Sequence, residues 1–150
     1  MKLRILIYNF LTYCYLCSLF CNSYAEEKNV LIVNKKIIIE SITKTELRKI
    51  YLGKTALWNG KIKTQPCLIN AKTSLGRNFF EEVLDMPVEK FKRYWLRKVF
   101  SGYGAPPTSF NSVEEVIEFV SKKEGGIGFI PESKFKSLPN CKILKVDSSR

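Results

Sequence analysis

Apolar and polar positions along the chain alternate with two periods, one of strands and one of helices. Residues 29–33, "NVLIV", form a short β-branched run and read as a first strand. Thr43 then stands three residues before Glu46, and Leu47, Ile50 and Tyr51 follow at helical spacing ahead of Gly53. That order predicts a capping box, a short helix and a glycine stop. After the turn-like "WNGK", the run "IKTQPCLIN" predicts a second strand, with Pro66 at an edge or a strand start because proline has no amide to give a central ladder. Val88, Phe91, Trp95 and Val99 recur at three to four residues behind Asp85-Met86-Pro87, which predicts a helix with proline near its first turn and aromatics facing the core. Lys90, Arg93 and Arg97 fall on another side of it. "SGYGAPPTSFN" reads as a glycine- and proline-rich loop, Ser112 with Glu115 as a second capping box opening a further helix, and "EGGIGFIP" and "CKILKV" as closing strands. Strands alternating with helices give an α/β layer fold in one domain, with mixed or purely parallel pairing both open.

Composition changes the picture mainly at the start of the chain. The 150 residues are 45% hydrophobic and 26% charged, which suits one globular domain, but residues 1–25 read differently. Lys2 and Arg4 precede an uncharged, largely apolar run over 5–20, and Ser23-Tyr24-Ala25 supplies small residues where a signal peptidase reads. The expectation is a signal peptide over 1–25, a domain over 26–150, and a periplasmic or secreted protein with no stable membrane span after cleavage; a retained anchor is the competing reading. Cys14, Cys17 and Cys21 leave with that leader. Cys67 and Cys141 stay, and an oxidising compartment would join them if their Cα atoms lie within about 7 Å, whereas buried free thiols are the other reading. Loss of Lys2 and Arg4 lowers the net charge from +11 to +9, a field that attracts anions of any size without selecting among them.

The junction "INAKTSLGRNFFEEVL" carries the candidate chemistry. A strand-like run gives way to a helical pattern across Thr73, Ser74, Leu75, Gly76 and Arg77, behind Lys72. In one reading Thr73 or Ser74 is an N-cap and nothing more. In the other, hydroxyls, free amides and the positive end of the helix hold an oxyanion. Ser101, Gly102 and Gly104 in "SGYG" form a second candidate set, because glycines let backbone amides approach a ligand closely; an ordinary turn is the alternative.

Three stretches, "LRKIYLGKTALW", "RYWLRKVFSGYGAPP" and "GGIGFIP", resemble in order and spacing the short exported proteins related to phosphate-binding components of ABC uptake systems. The resemblance implies a single-domain type II periplasmic-binding-protein-like lobe, with a central mixed sheet flanked by helices, and mainly one of the two lobes that close over phosphate in full-length members. It also implies that Ser74, with the amides of Leu75 and Gly76, would hold phosphate oxygens. Asn70 and Lys72 stand where the full-length binders usually have arginine and aspartate, so a bidentate clamp is missing and Lys72 and Arg77 supply charge from different places.

An oxyanion-binding module, for phosphate or sulfate, is therefore the leading expectation, and a scaffold or interaction protein that keeps the fold without a ligand is the alternative. No cofactor is expected and no protein partner is identified. Nucleic acid is disfavoured as a partner for an exported chain. With no histidine, neither a Ser-His nor a Cys-His pair can form, and the adjacent Glu81 and Glu82 point to different helix faces, so an enzyme is not expected. Intact-mass measurement of the exported protein should give a chain starting at Glu26; a full-length chain in the membrane fraction would establish the anchor instead.

Overall fold

The computed structural model describes residues 28–136 and 138–147; the leader reading over 1–25 lies outside them. Asn29–Asn34 forms β1, and its Leu31, Ile32 and Val33 are almost wholly buried, as a strand covered on both faces must be. Ser41–Thr43 (β2) leads into α1 (Lys44–Tyr51), Leu57–Trp58 (β3) and Ile62–Lys63 (β4) make a small hairpin, and Gln65–Ile69 (β5) enters α2 (Ser74–Asn78). A wide helical turn over Phe79–Val83 follows, then α3 (Val88–Phe100), β6 (Thr108–Phe110), α4 (Val113–Lys122), β7 (Gly126–Pro131) and β8 (Cys141–Asp147). The main sheet has the order β2-β8-β1-β7-β5-β6. β1 pairs antiparallel with both β7 and β8, whereas β2 runs parallel to β8 and β5 runs parallel to both β6 and β7. Thus β1 alone runs against the other five, and the sheet is mixed.

Helices cover both faces. Along β7, Gly128 lies against Val116 of α4, while the next residue, Phe129, meets Phe79 on the opposite face with ring centroids 5.2 Å apart. This is the period of two expected of a strand buried on both sides. An aromatic chain then runs through the second layer: Tyr51 to Phe79 (4.8 Å), Phe79 to Phe80 (5.9 Å), Phe80 to Phe91 (5.2 Å) and Phe91 to Trp95 (6.4 Å). α3 is fixed to the end of α1 by the polar tips of Trp95 and its neighbour Tyr94, as Trp95 Nε1 donates to Tyr51 O (3.2 Å) and Tyr94 Oη donates to Leu52 O (2.8 Å). Among the described residues no helix is long and apolar enough to cross a membrane.

Two expectations are corrected. Val99 is not core but 48% exposed, because the inward face of α3 passes from Trp95 to Lys98, whose ammonium lies 5.0 Å from the Trp95 ring and donates to Leu52 O and Gly53 O. The Cys67–Cys141 bridge does not form either: both cysteines are free and buried. Cys67 lies on β5 and Cys141 on β8, with β7 and β1 between them. Three strand spacings put them roughly 14 Å apart, twice what a disulfide spans. The Cys67 thiol donates to Ile127 O (3.3 Å), and burial pushes its pKa up to about 12. Both thiols should therefore resist iodoacetamide in the native protein and react only in denaturant, and reductant should leave the melting temperature unchanged. A cystine-linked peptide pair joining Cys67 and Cys141 would contradict this.

Candidate functional site

The strand order places three strand-to-helix junctions at the same end of the sheet. β2, β5 and β6 run in one direction, so their carboxyl ends, leading into α1, α2 and α4, lie on a common edge. This is the edge at which open α/β sheets bind ligands. Each helix start exposes unpaired amides and a partial positive charge.

Two of those starts carry their own anion. At α1, Thr43 is the N-cap, and Glu46 Oε2 accepts from the Thr43 amide (3.0 Å) and hydroxyl (2.8 Å). At α4, Glu115 Oε2 accepts from the amides of Asn111 and Ser112, both at 3.0 Å. These hydrogen bonds, backbone donors first, hold both carboxyls below the usual range. A carboxyl with a depressed folded-state pKa stabilises above its unfolded value of about 4.3 and loses that contribution as pH falls through the folded value. Both capping boxes are thus features of neutral pH.

α2 differs, since its first turn contains no acid and Lys72 and Arg77 flank it. Thr73 is the N-cap: its Oγ1 accepts from the Gly76 amide (3.0 Å) and donates to Asn70 O (2.8 Å). The Arg77 amide donates to Thr73 O (3.1 Å), and one arm of the Arg77 side chain donates to Lys72 O (3.0 Å). Thr73 and the Gly76 amide therefore close the turn on itself, and of the expected phosphate-facing groups they are taken up locally. Ser74 is exposed as the first helical residue, and its hydroxyl has no partner among the described residues; the Leu75 amide follows it inside the first turn, behind a buried side chain. Asn70 is held by its own bonds: Oδ1 accepts from the Lys72 amide (3.0 Å) and Nδ2 donates to Asn111 Oδ1 (3.1 Å).

Gly76 is fixed by sterics. A Cβ added there would lie 2.3 Å from Asn70 O and 2.9 Å from Ala71 Cα, so only glycine lets the helix cross this close to the end of β5. The chain then widens into the turn over Phe79–Val83, where the Leu84 amide reaches back five residues to Phe79 O (3.0 Å). Arg48 of α1 closes that turn, with Nε donating to Leu84 O (2.7 Å) and Nη2 to Asp85 O (3.1 Å) and Oδ2 (2.9 Å). Sequence reasoning did not assign Arg48 this part.

Ser101, Gly102 and Gly104 are not brought to this junction. The amides of Gly102 and Tyr103 donate to Val99 O and Lys98 O, both at 3.0 Å, and Gly102 has φ +74°, a glycine-stopped helix end. A helix C-terminus bears the negative end of the dipole and repels an anion. Gly104 lines another cleft, with Trp95, Lys98 and Tyr103. The loop reading of 101–111 also missed β6, although Thr108-Ser109-Phe110 after two prolines is a short strand pattern. Through β6 come Ser109 and Asn111, which the sequence reading did not connect to the junction.

No protein-family model matches the sequence, and no curated protein matches it. Solved structures do share its fold. An ABC-type phosphate transport receptor from Vibrio cholerae superposes with a TM-score of 0.62 at 16% identity, over 81% of this chain and 47% of that one. PstS from Borrelia burgdorferi gives 0.61 at 19% identity, over 81% and 48%. A structure with bound phosphate from Clostridium perfringens, described as a phosphate ABC transporter substrate-binding protein, gives 0.63 at 17%, over 81% and 46%. The chain spans less than half the length of each, and the likeness is one of fold. It agrees with the resemblance carried by the three sequence motifs and with the mixed α/β periplasmic-binding-protein-like lobe they imply.

Gly76→Ala should reveal the close crossing. In an unconstrained helix the change stabilises by about 1 kcal/mol, but overpacking against the Asn70 carbonyl should cost about 1 to 3 kcal/mol or more. Net destabilisation in urea unfolding is expected; a gain in stability would contradict the geometry.

Proposed function

We propose that this protein is a periplasmic or secreted solute-binding-like module that holds a small oxyanion, phosphate or sulfate, at the start of α2. The observation that carries the reading is the contrast among the three helix starts at one sheet edge: α1 and α4 are neutralised by Glu46 and Glu115, while α2 has no acid and is flanked by Lys72 and Arg77. An anion is most stable where a helix start and cations act together without a competing carboxylate. The Ser74 hydroxyl, the Leu75 amide and the cations of Lys72 and Arg77 would meet the ligand, with Thr73 and Gly76 shaping the turn beneath. The phosphate-binding neighbours in structure support this choice of ligand. The chemistry is binding rather than catalysis, in keeping with a sequence that has no histidine to serve as base or nucleophile partner.

A second reading, an interaction protein that keeps the fold without a ligand, is favoured by one specific feature. Leu96, Val99, Phe100 and Tyr103, at offsets of three, four and seven residues that span two turns, are 58%, 48%, 81% and 76% exposed on the outer side of α3 and the turn beyond it. Apolar surface grouped in this way marks contact sites.

Calorimetric titration with phosphate, sulfate and an acetate control separates the two readings. Under the first, Ser74→Ala should weaken phosphate or sulfate binding about tenfold to a hundredfold, as loss of a hydrogen bond to a charged group implies, with little change in melting temperature. Arg77→Gln should weaken binding and flatten its salt dependence. Thr73→Ala should do the converse, costing about 0.5 to 2 kcal/mol of stability as a lost N-cap. Absence of oxyanion binding at millimolar ligand and low salt would leave the interaction reading in front.

A further inference from the structure

Beside the α2 start lies a cleft of about 510 Å³ whose walls are mainly apolar. Leu68 of β5, Phe80 of the wide turn, Phe91 of α3 and Pro107 ahead of β6 line it, and charge is confined to Lys72, Arg77, Lys92 and Glu89. Glu89 is paired with Lys92 (3.1 Å), so two cations, Lys72 and Arg77, are left without a carboxylate partner among the described residues. One arm of Arg77 is held by Lys72 O, which fixes the guanidinium at the α2 side of the cleft. Asn70 is also part of the lining, and its amide group is bound to Asn111 and to the Lys72 amide.

We propose that this cleft takes an organic phosphate or phosphonate: a dianionic head at Lys72 and Arg77 joined to an apolar body lying over Leu68, Phe80, Phe91 and Pro107. The inference rests on the oxyanion reading for the head group and goes beyond it in the body. Its volume falls in the range of small-molecule sites, which are mostly apolar with a few charged groups that orient the ligand. A bare tetrahedral oxyanion would occupy a fraction of this space and leave the part-exposed apolar lining of Ala71, Val88 and Pro106 against water. Arg77 would give it less than a full two-pronged clamp, since one arm of its guanidinium is taken by Lys72 O. Burial of an apolar substituent supplies what the clamp does not, and it selects against the inorganic ion. Two uncompensated cations match the two charges of the head.

The test compares inorganic phosphate, methylphosphonate and phenylphosphonate on the same protein, by calorimetry and by NMR of the methyl groups. Phenylphosphonate should bind roughly ten- to hundredfold more tightly than methylphosphonate. Its ring should shift the methyl signals of Leu68 and Val88, which line the cleft. Lys72→Gln, an exposed change, should weaken phenylphosphonate binding, and Ser109→Trp at the rim should remove the preference for the phenyl compound. Equal affinities for the three compounds would overturn the cleft while leaving the oxyanion reading intact. Phenylphosphonate binding without detectable phosphate binding would support the cleft and overturn the inorganic ligand. No binding of any compound would overturn both.

Discussion

The crossing of Gly76 over the carbonyl of Asn70 is the constraint on which the rest of the structure turns. With a Cβ excluded, α2 starts almost in contact with the end of β5, and Phe79 and Phe80 fall at fixed places one turn later. Phe79 then bridges Tyr51 of α1 and Phe129 of β7, and Phe80 reaches Phe91 of α3. A helix layer and the sheet are thereby joined through rings that bury large apolar areas and prefer the tilted contacts seen here. The wide turn that follows loses regular helical bonds, and Arg48 replaces part of them from α1. Its pairing with Asp85 is exposed and counts for little by itself; the bond to Leu84 O matters more because it satisfies a carbonyl at the mouth of the turn.

The electrostatics of the sheet edge have a separate origin. Strand direction gathers three helix starts, and side chains decide what each can accept. Glu46 and Glu115 give α1 and α4 an internal anion held at two or more donors, which stabilises the helices and removes them as receptors. At α2 the cap is a neutral hydroxyl, and the positive end of the helix adds to Lys72 and Arg77. Asn70 adds no charge there, since its side chain locks the turn through Asn111 and the Lys72 amide. Lys72 and Arg77 are both exposed. Both line the mainly apolar cleft beside this helix start.

Much of this was legible in the chain. Both capping boxes, the glycine stop after α1, the proline at the start of β5 and the inward Phe91 and Trp95 follow from local rules, because each is decided by residues within one or two turns. The N-cap at 73 or 74 was also readable, and it falls on Thr73. Short strands were not: β2, β3 and β6 contain two or three residues each, too few for a period to show, and β4 was read as one strand with β5.

What the sequence by itself determined is the set of local elements and the residues that end them, since hydrogen-bond capping and side-chain periodicity act over short separations. Tertiary structure alone decided which strands became neighbours. It reversed β1 against the other five, kept Cys67 and Cys141 apart, and brought Asn111 to Asn70 and Arg48 to Asp85 across long stretches of chain. It also gave Gly76 its meaning. The resemblance implied a Gly76 amide turned to a phosphate oxygen, but in the fold that amide donates to Thr73 Oγ1 and the place of a Cβ is taken by the carbonyl of Asn70. The physical reason is that close packing is a property of two surfaces, and only one of them lies within reach of any local pattern.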